Sequence, residues 1–232
     1  MERHIALNLP QMEPKMKVLA TVILLFFSIT TVSQNTSLCP DGKHPHMIDL
    51  GLPSGTKWSC CNVGASRPGD SGDYYSWGET AVKRNYDWST YKYCNGTWNS
   101  CYDLGLNICG TQYDVAHVKW GGAWVMPDNN QFEELCDNCT YKWTTLDGVK
   151  GGEFTSKING RKIFMPAAGM RICFDLFNSG SFGYYWTGIN STDLGFSKFG
   201  SGSFVIKRNV NYDDPVFNDE RRDGLTVRPV AK

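Results

Sequence analysis

The chain has 232 residues, which suits one large domain or one domain with a tail. Its 23 basic and 23 acidic side chains give a formal net charge of zero, which is not typical of a nucleic-acid-binding protein and predicts no nucleic-acid partner. Hydrophobic residues at 41% and aromatic residues at 13% argue against disorder, and the 24 glycines and 8 tryptophans favour a turn-rich fold built on short strands.

An apolar run near the N-terminus predicts export. Residues 18–32 contain no charge, proline or glycine, and the run is shorter than the roughly 20 apolar residues of a membrane-spanning helix. Lys15 and Lys17 precede it, and small side chains lead up to Ser33. This order of basic, apolar and small residues is that of a secretory signal peptide. We predict a signal peptide over residues 1–33, cleaved after Ser33.

The remainder is predicted to be one exported domain behind a short lead. Met16 begins a signal of more usual length and is the alternative start of the chain. Residues 34–46 are polar and include proline and glycine, which predicts a flexible lead, and residues 47–232 form the domain. Because no second apolar run follows, we expect the mature form not to span the membrane and to be secreted or associated with the cell envelope, at the outer surface or in the periplasm. Retention of the signal as an anchor is the alternative.

The first half of the domain is predicted to consist of short strands followed by long ordered loops. Residues 48–50 and 56–63 are strand-like and flank a Pro-Ser-Gly turn. Residues 64–112 are rich in Gly, Asp, Tyr, Trp and Cys and show no sustained period. So long an irregular stretch is more often a binding surface than filler, although disulfide-rich scaffolds contain such stretches for structural reasons.

Two short helices are predicted next. Asp114 can cap one that runs to about Lys119, and Asp128 with Gln131 makes a capping-box-like start for the second. Apolar side chains at helical spacing then place a Cys-x-x-Cys motif on the core-facing side near the end of the second helix. After residue 152 the pattern becomes that of short strands separated by Gly, Asn and Asp. The predicted strands are 154–158, 162–165, 184–189, 203–207 and 225–230.

All nine cysteines follow the predicted cleavage point. In an exported protein the default interpretation is disulfides, up to four pairs with one cysteine left over, and their connectivity cannot be deduced from the sequence. Cys136 and Cys139 form the one Cys-x-x-Cys motif, which without a second such motif or a histidine pair at finger spacing is a weak indication of zinc. We predict disulfides or buried thiols here, no metal and no cofactor.

Several blocks in order along the chain carry a resemblance to a known family. They include DLGLPSGTKW at 49–58, NVGA at 62–65, DYYSWGET at 73–80, WGGAWVMP at 120–127, MPAAGMR at 165–171 and LTVRPV at 225–230. This pattern resembles the Fibrobacter succinogenes major paralogous domain, a family of exported Bacteroidetes-type proteins. The resemblance covers nearly all of residues 47–230. It implies a single secreted or surface-exposed domain of poorly defined function.

A more distant likeness concerns the fold. The block from Trp124 to Leu135 and the closing block 224–230 are similar to segments of the formylglycine-generating-enzyme group. That similarity implies a C-type-lectin-like α+β fold with two short helices, a small twisted antiparallel sheet and long ordered loops. The group's activity relies on a cysteine pair near the C-terminus, and residues 174–232 contain no cysteine, so the activity is not carried over.

The positions of these blocks also suggest two disulfide pairs. We predict that Cys61 pairs with Cys139 and that Cys94 pairs with Cys109. Each pairing is tied to the resemblance, because the cysteine spacing alone leaves the connectivity open.

The function predicted from the sequence is that of an exported binding or interaction module for an unknown glycan or protein ligand. No Ser/His/Asp set, HExxH motif or convincing carboxylate pair occurs, so no catalytic residue is assigned and the chain is predicted not to be an enzyme. The alternatives are an oxidase-related enzyme of the formylglycine-generating type and a structural subunit of a surface appendage. The competing role for large rings is to anchor loops or to be buried in a strand. The candidate ligand contacts are five such rings: Trp77, Trp88, Trp98, Tyr184 and Trp186.

Overall fold

The computed structural model describes residues 46–191, 199–209 and 216–232. The predicted signal peptide and residues 34–45 of the predicted lead lie outside these ranges, whereas His46, the last residue of that lead, is buried. Within the described ranges the chain forms two α-helices, α1 (Val115–Trp120) and α2 (Asn129–Asn138), and eleven strands, in agreement with the predicted α+β class. The strands are β1 (Met47–Asp49), β2 (Lys57–Ser59), β3 (Cys139–Leu146), β4 (Val149–Ser156), β5 (Lys162–Pro166), β6 (Met170–Ile172), β7 (Asp175–Phe177), β8 (Phe182–Asn190), β9 (Gly200–Lys207), β10 (Val216–Glu220) and β11 (Val230–Ala231).

The described strands pair antiparallel and form four small sheets rather than the single sheet that was predicted. Two are three-stranded, β3–β4–β5 and β8–β9–β10, and the strands β6 and β7 form a hairpin. The fourth sheet, β1–β2–β11, joins the beginning and the end of the described domain, because Val230 of β11 lies opposite Trp58 of β2. The first and last strands are therefore held by the same central strand.

Both predicted helices are confirmed, together with their first residues. The side chain of Asp114 accepts hydrogen bonds from backbone N–H groups in the first turn of α1. At α2 the Asp128 carboxylate accepts from the Gln131 N–H at 2.8 Å, and the Gln131 side chain accepts from the Asp128 N–H at 2.9 Å. This reciprocal pair is the capping box that the sequence predicted.

Strand β3 is a difference from the sequence prediction, which placed the whole Cys-x-x-Cys motif at the end of α2. Cys136 lies in the helix, but Cys139 is the first residue of β3. The β-branched and aromatic side chains of residues 140–145 favour a strand. The Asp147-Gly148 turn then returns the chain into β4, with positive φ at both residues, 49° and 84°. An Asp-Gly pair between strand-forming segments is the signal that predicts this hairpin.

The loop-rich half, residues 64–112, contains no α-helix and no strand, and its one helical element is a 3₁₀ turn at Trp98–Ser100. Single backbone bridges connect these loops to the C-terminal segment. In one of them the Tyr75 N–H donates a hydrogen bond to the Leu225 carbonyl at 2.9 Å. The predicted final strand over 225–230 is shorter in the structure, since only its last residue belongs to β11. Before β11, Leu225 and Val227 form backbone hydrogen bonds with loop residues, whereas Thr226 forms them with β8.

Two large clusters of buried side chains support the domain. In one, Phe132 of α2 stacks on Phe204 of β9 with ring centroids 4.3 Å apart, which packs the helix on the sheet. The other contains Trp77 and Ile108 from the loops and Trp186 from β8. The loops are therefore anchored by buried side chains, which hold their surface residues in place.

Candidate ligand-binding surface

Two of the five candidate rings belong to the core. Trp77 and Trp186 have 0% exposure each. The indole N–H of Trp77 donates to the Thr187 carbonyl at 2.9 Å and that of Trp186 to the Tyr75 carbonyl at 2.6 Å, so both polar tips are satisfied inside the protein. A ring without exposed surface cannot stack on a ligand. The prediction that Trp77 and Trp186 contact a ligand is therefore wrong.

Tyr184 is partly buried on β8 and is not part of a group with the other candidates. Its ring stacks on Phe182, with centroids 5.9 Å apart, and its hydroxyl accepts a hydrogen bond from Asn178 Nδ2 at 2.9 Å. Within the described ranges no ring contact joins Tyr184 to Trp88 or Trp98. Ligand contact at Tyr184 stays a prediction.

The remaining two candidates, Trp88 and Trp98, converge on a third ring. Phe199, just before β9, packs edge-on against both, with centroids 6.3 Å from Trp88 and 5.3 Å from Trp98. Trp98 is 53% exposed, and Trp88 and Phe199 are partly buried. We call these three residues the ring surface. Sequence reasoning missed Phe199 because it follows Trp98 by about a hundred positions and no local pattern connects them.

A disulfide closes the loop that presents Trp98. Cys94 is bonded to Cys101, and the loop between them contains the 3₁₀ turn. Inside it the Asn95 N–H donates to Ser100 Oγ at 2.8 Å, and that hydroxyl donates to the Thr97 carbonyl at 2.7 Å. These bonds fix the loop before any ligand arrives, which lowers the entropy cost of binding.

The Cys94–Cys101 bond corrects the predicted pair Cys94–Cys109. Cys109 keeps a free thiol, and its sulfur lies against β8, so close to Gly188 that a Cβ on that glycine would clash with it. The sulfur is therefore packed on the sheet, while Cys94 has a partner within its own loop. Burial is the main cause that raises the pKa of Cys109 to about 12.

The predicted pair Cys61–Cys139 is also wrong, because Cys139 keeps a free thiol where it is buried at the start of β3. Its neighbour in the Cys-x-x-Cys motif, Cys136, is a free thiol as well. Burial raises the pKa of Cys136 to about 12 and that of Cys139 to about 11. Thiols with such values stay protonated near neutral pH, which disfavours nucleophilic or redox chemistry at this motif.

A second sulfur-rich group lies around His46. Its Nδ1 is 3.4 Å from Cys60 Sγ, and one potential ligand atom from each of His46, Cys60 and Cys61 falls within 4.8 Å of the others. The rings of Trp120 and Trp124 cover the imidazole, with centroids at 4.5 Å and 5.1 Å. This group was not predicted from the sequence, because His46 was assigned to the flexible lead. Nitrogen and sulfur donors of this kind suit zinc, and the described residues supply three of the four donors that a structural zinc site uses.

Charged side chains surround Trp88 on the ring surface. The Arg222 guanidinium lies over its ring, 5.6 Å from the centroid, and Arg222 Nε donates to the Glu220 carboxylate at 2.6 Å. Asp87 has a carboxylate oxygen 3.7 Å from Arg222 Nη1, and the Ser89 N–H donates to Asp87 at 2.9 Å and holds its pKa below the usual range. The side chains of Asp87 and Glu220 are 35% and 40% exposed, so their carboxylates can accept hydrogen bonds from a ligand.

Asp223 is buried next to these charges, at 4% exposure. Burial away from water is the main cause that raises its pKa to about 8, and the nearby carboxylates of Glu220 and Asp219 act in the same direction against the Arg222 cation. No described group hydrogen-bonds to Asp223 Oδ1, from which Arg222 Nε lies 3.7 Å away. Ionisation of Asp223 therefore costs free energy in the folded state.

The Asp223→Asn substitution is expected to remove a pH-dependent loss of stability. An unfolded aspartate titrates at a pKa of about 3.9, whereas the folded carboxyl titrates at about 8. Between these values only the folded chain holds the proton, so the free energy of unfolding of the parent falls as the pH rises and stops falling above the folded pKa. The variant should gain roughly 1–3 kcal/mol relative to the parent between about pH 5 and about pH 8, measured by urea unfolding.

Asp175→Asn, at an exposed position of β7, is the matched control and should change neither the stability nor its pH dependence. If the parent and Asp223→Asn lose stability equally as the pH rises, Asp223 is not the group that titrates.

Comparison of the chain with protein-family models, with curated proteins and with solved structures finds no match. The family resemblance drawn from the sequence blocks therefore stays a prediction. Among the described helices, none has the length and apolar character that crossing a membrane requires.

Proposed function

We propose that the chain is an exported module that binds a glycan at the ring surface of Trp88, Trp98 and Phe199. The observation that carries the proposal is an exposed tryptophan held on a disulfide-closed loop and packed edge-on against a second ring. Leaving a large ring half exposed forgoes the free energy of its burial, about 25 cal/mol per Å². A binding role accounts for that arrangement, because Trp98 would be covered in the complex.

A glycan suits the chemistry around these rings better than a protein ligand does. The apolar C–H faces of a sugar can pack on Trp98 and Phe199, much as other apolar groups pack on aromatic rings. The partly exposed carboxylates of Asp87 and Glu220 can accept hydrogen bonds from the hydroxyl groups of a sugar, and the Arg222 guanidinium can donate hydrogen bonds to those hydroxyl groups. Flat rings bordered by acceptors therefore offer a sugar both kinds of contact that it needs.

Export and the family assignment are part of the same proposal. The Cys94–Cys101 disulfide supports a location outside the reducing cytosol. Two helices, small antiparallel sheets and long loops between paired terminal strands support a C-type-lectin-like member of the Fibrobacter succinogenes major paralogous family. The raised pKa values of Cys109, Cys136 and Cys139 weigh against the oxidase-type alternative.

The Trp98→Ala substitution is the test of this function. A screen of the purified chain on an oligosaccharide array should identify a bound glycan, and the variant should bind that glycan about 10–100-fold more weakly, the loss typical of a central aromatic contact. Titration calorimetry measures the dissociation constants.

Phe174→Ala is the matched control, because it removes a ring that is 69% exposed on the β6–β7 hairpin, and it should bind like the parent. Equal affinity of Trp98→Ala and the parent would overturn the proposal. So would an array on which no oligosaccharide is bound while a protein ligand is captured through Trp98.

A further inference from the structure

A groove with a volume of about 820 Å³ lies at the opposite end of β9 from the ring surface. One wall is the β3–β4 hairpin, which contributes Trp143 and Lys150, and the other is formed where β8 begins and β9 ends. The Tyr141 hydroxyl donates to the Lys207 carbonyl at 2.7 Å and ties the two walls together. The distance along β9 from Phe199 to Lys207 is about 26 Å at 3.3 Å per residue, so the groove is separate from the ring surface.

Three cationic residues line this groove, on both of its walls. Lys150 lies on the hairpin, where it is paired with Thr145, and Lys207 and Arg208 lie on the opposite wall. In the described part of the chain none of the three forms an ion pair, and the described lining contains no aspartate or glutamate. A cleft of one sign concentrates ligands of the opposite sign, and these cations are available to pair with them.

Aromatic and hydroxyl groups accompany the cations. Trp143 and Phe182 are partly buried on opposite walls, and Phe182 lies directly across from Lys207 in the sheet, which places a ring beside a charge. Hydroxyl and amide groups complete the lining: Thr144, Thr145, Ser181 and Asn209. Rings can pack on sugar faces while the cations bind carboxylate or sulfate groups and the hydroxyls exchange hydrogen bonds with the sugar.

We propose that this groove is a second binding site, for a stretch of an anionic polysaccharide that carries carboxylate or sulfate groups. A peptide rich in acidic residues would use the cations but would leave the two rings and the hydroxyl-lined walls with fewer matching groups. The site does not depend on the ring surface, since it shares no residue with Trp88, Trp98 or Phe199.

The test uses the purified chain and four polymers: polygalacturonate, dextran sulfate, neutral dextran and poly-L-glutamate. Calorimetry should show binding of polygalacturonate or dextran sulfate, which separates carboxylate from sulfate as the recognised group. Neutral dextran should not bind, and the affinity for the anionic polysaccharide should fall steeply with added salt. Poly-L-glutamate of equal charge should bind more weakly than the anionic polysaccharides. If poly-L-glutamate bound as tightly as polygalacturonate and dextran sulfate, the glycan assignment would be overturned.

Variants assign the binding to the groove. Lys150→Gln and Lys207→Gln should each weaken binding about fivefold, as expected for one lost contact between partly exposed charges. Lys142→Gln, also on the β3–β4 hairpin but outside the groove lining, removes the same charge and should have no effect. Equal effects of Lys142→Gln and Lys150→Gln would overturn the proposal. Trp98→Ala should bind the anionic polysaccharide like the parent, so the groove and the ring surface are tested independently.

Discussion

The Asp114→Asn variant is expected to have a free energy of unfolding about 3–5 kcal/mol smaller than the parent's, although the two side chains have nearly the same shape. Asp114 has 0% exposure, and its carboxylate accepts four backbone hydrogen bonds. Oδ1 accepts from the N–H groups of Ala116 and His117 at 2.8 Å and 3.0 Å, and Oδ2 from those of Gly110 and Met126 at 2.8 Å each.

The substitution replaces one of these two oxygens with an NH₂ group. An amide has a single acceptor oxygen, so two of the four backbone N–H groups lose their partner and face another donor. Each buried donor left unsatisfied costs about 1–3 kcal/mol. Part of this loss is offset, because burial raises the pKa of Asp114 and the neutral amide avoids the cost of burying a charge.

Asp128→Asn is the matched control, since Asp128 caps α2 through one contact of Oδ1 with the Gln131 N–H at 2.8 Å. Asparagine is as good a helix cap as aspartate, so this variant should lie within about 0.5 kcal/mol of the parent. Urea unfolding followed by tryptophan fluorescence measures both variants at one pH. A loss of less than about 1 kcal/mol for Asp114→Asn would contradict the role of four simultaneous hydrogen bonds.

Asp114 and Asp128 show how much of the fold can be predicted from local sequence. Both helix starts were predicted, because a cap and its partner are three residues apart and the signal is local. The bonds from Asp114 to Gly110 and Met126 were not predicted, because they depend on how the loop before α1 and the segment after it come together in space. Strand β3 was not predicted, although the Asp147-Gly148 turn signal was present. The helical pattern of the preceding residues was continued to Cys139, which is the first residue of β3.

The ring surface shows the same limit for the candidate site. Composition and loop assignment singled out Trp88 and Trp98, and both belong to the ring surface. Phe199 was not identified, since it comes from the far end of the chain. Trp77 lies in the same loop-rich stretch as Trp88 and Trp98, yet it is fully buried. The sequence reveals which rings are available, whereas long-range packing decides which of them reach the surface.

Arg228 is expected to be among the least replaceable residues of the domain. It has 0% exposure, and its guanidinium joins three separate segments. Nε donates to Asn62 Oδ1 at 2.8 Å, Nη1 to the Ser59 carbonyl at 3.2 Å and Nη2 to the Phe164 carbonyl at 2.8 Å. The side chain therefore connects the end of β2, the loop that follows it and β5 to the C-terminal segment.

Arg228→Met should lower the free energy of unfolding by about 3–5 kcal/mol, because it leaves three buried acceptors without a donor while it recovers the cost of burying one charge. Arg228→Lys should lower it by about 2–4 kcal/mol. A lysine keeps the charge, but its ammonium group lacks the planar fork that reaches three acceptors in different directions. The order of the two variants tests whether hydrogen bonding or charge burial dominates at this position.

Urea unfolding measures both substitutions, with Arg84→Lys at an exposed position as the control for the exchange of the charged group itself. That control should remain within about 0.5 kcal/mol of the parent. If Arg228→Met were as stable as the parent, the three carbonyl and amide oxygens would have to be satisfied by water. The backbone hydrogen bonds of residues 225–227, β11 pairing and apolar packing would then suffice to hold the C-terminal segment. The expected large loss instead makes Arg228 a polar link between the last segment of the chain and the end of β2, the loop that follows it and β5.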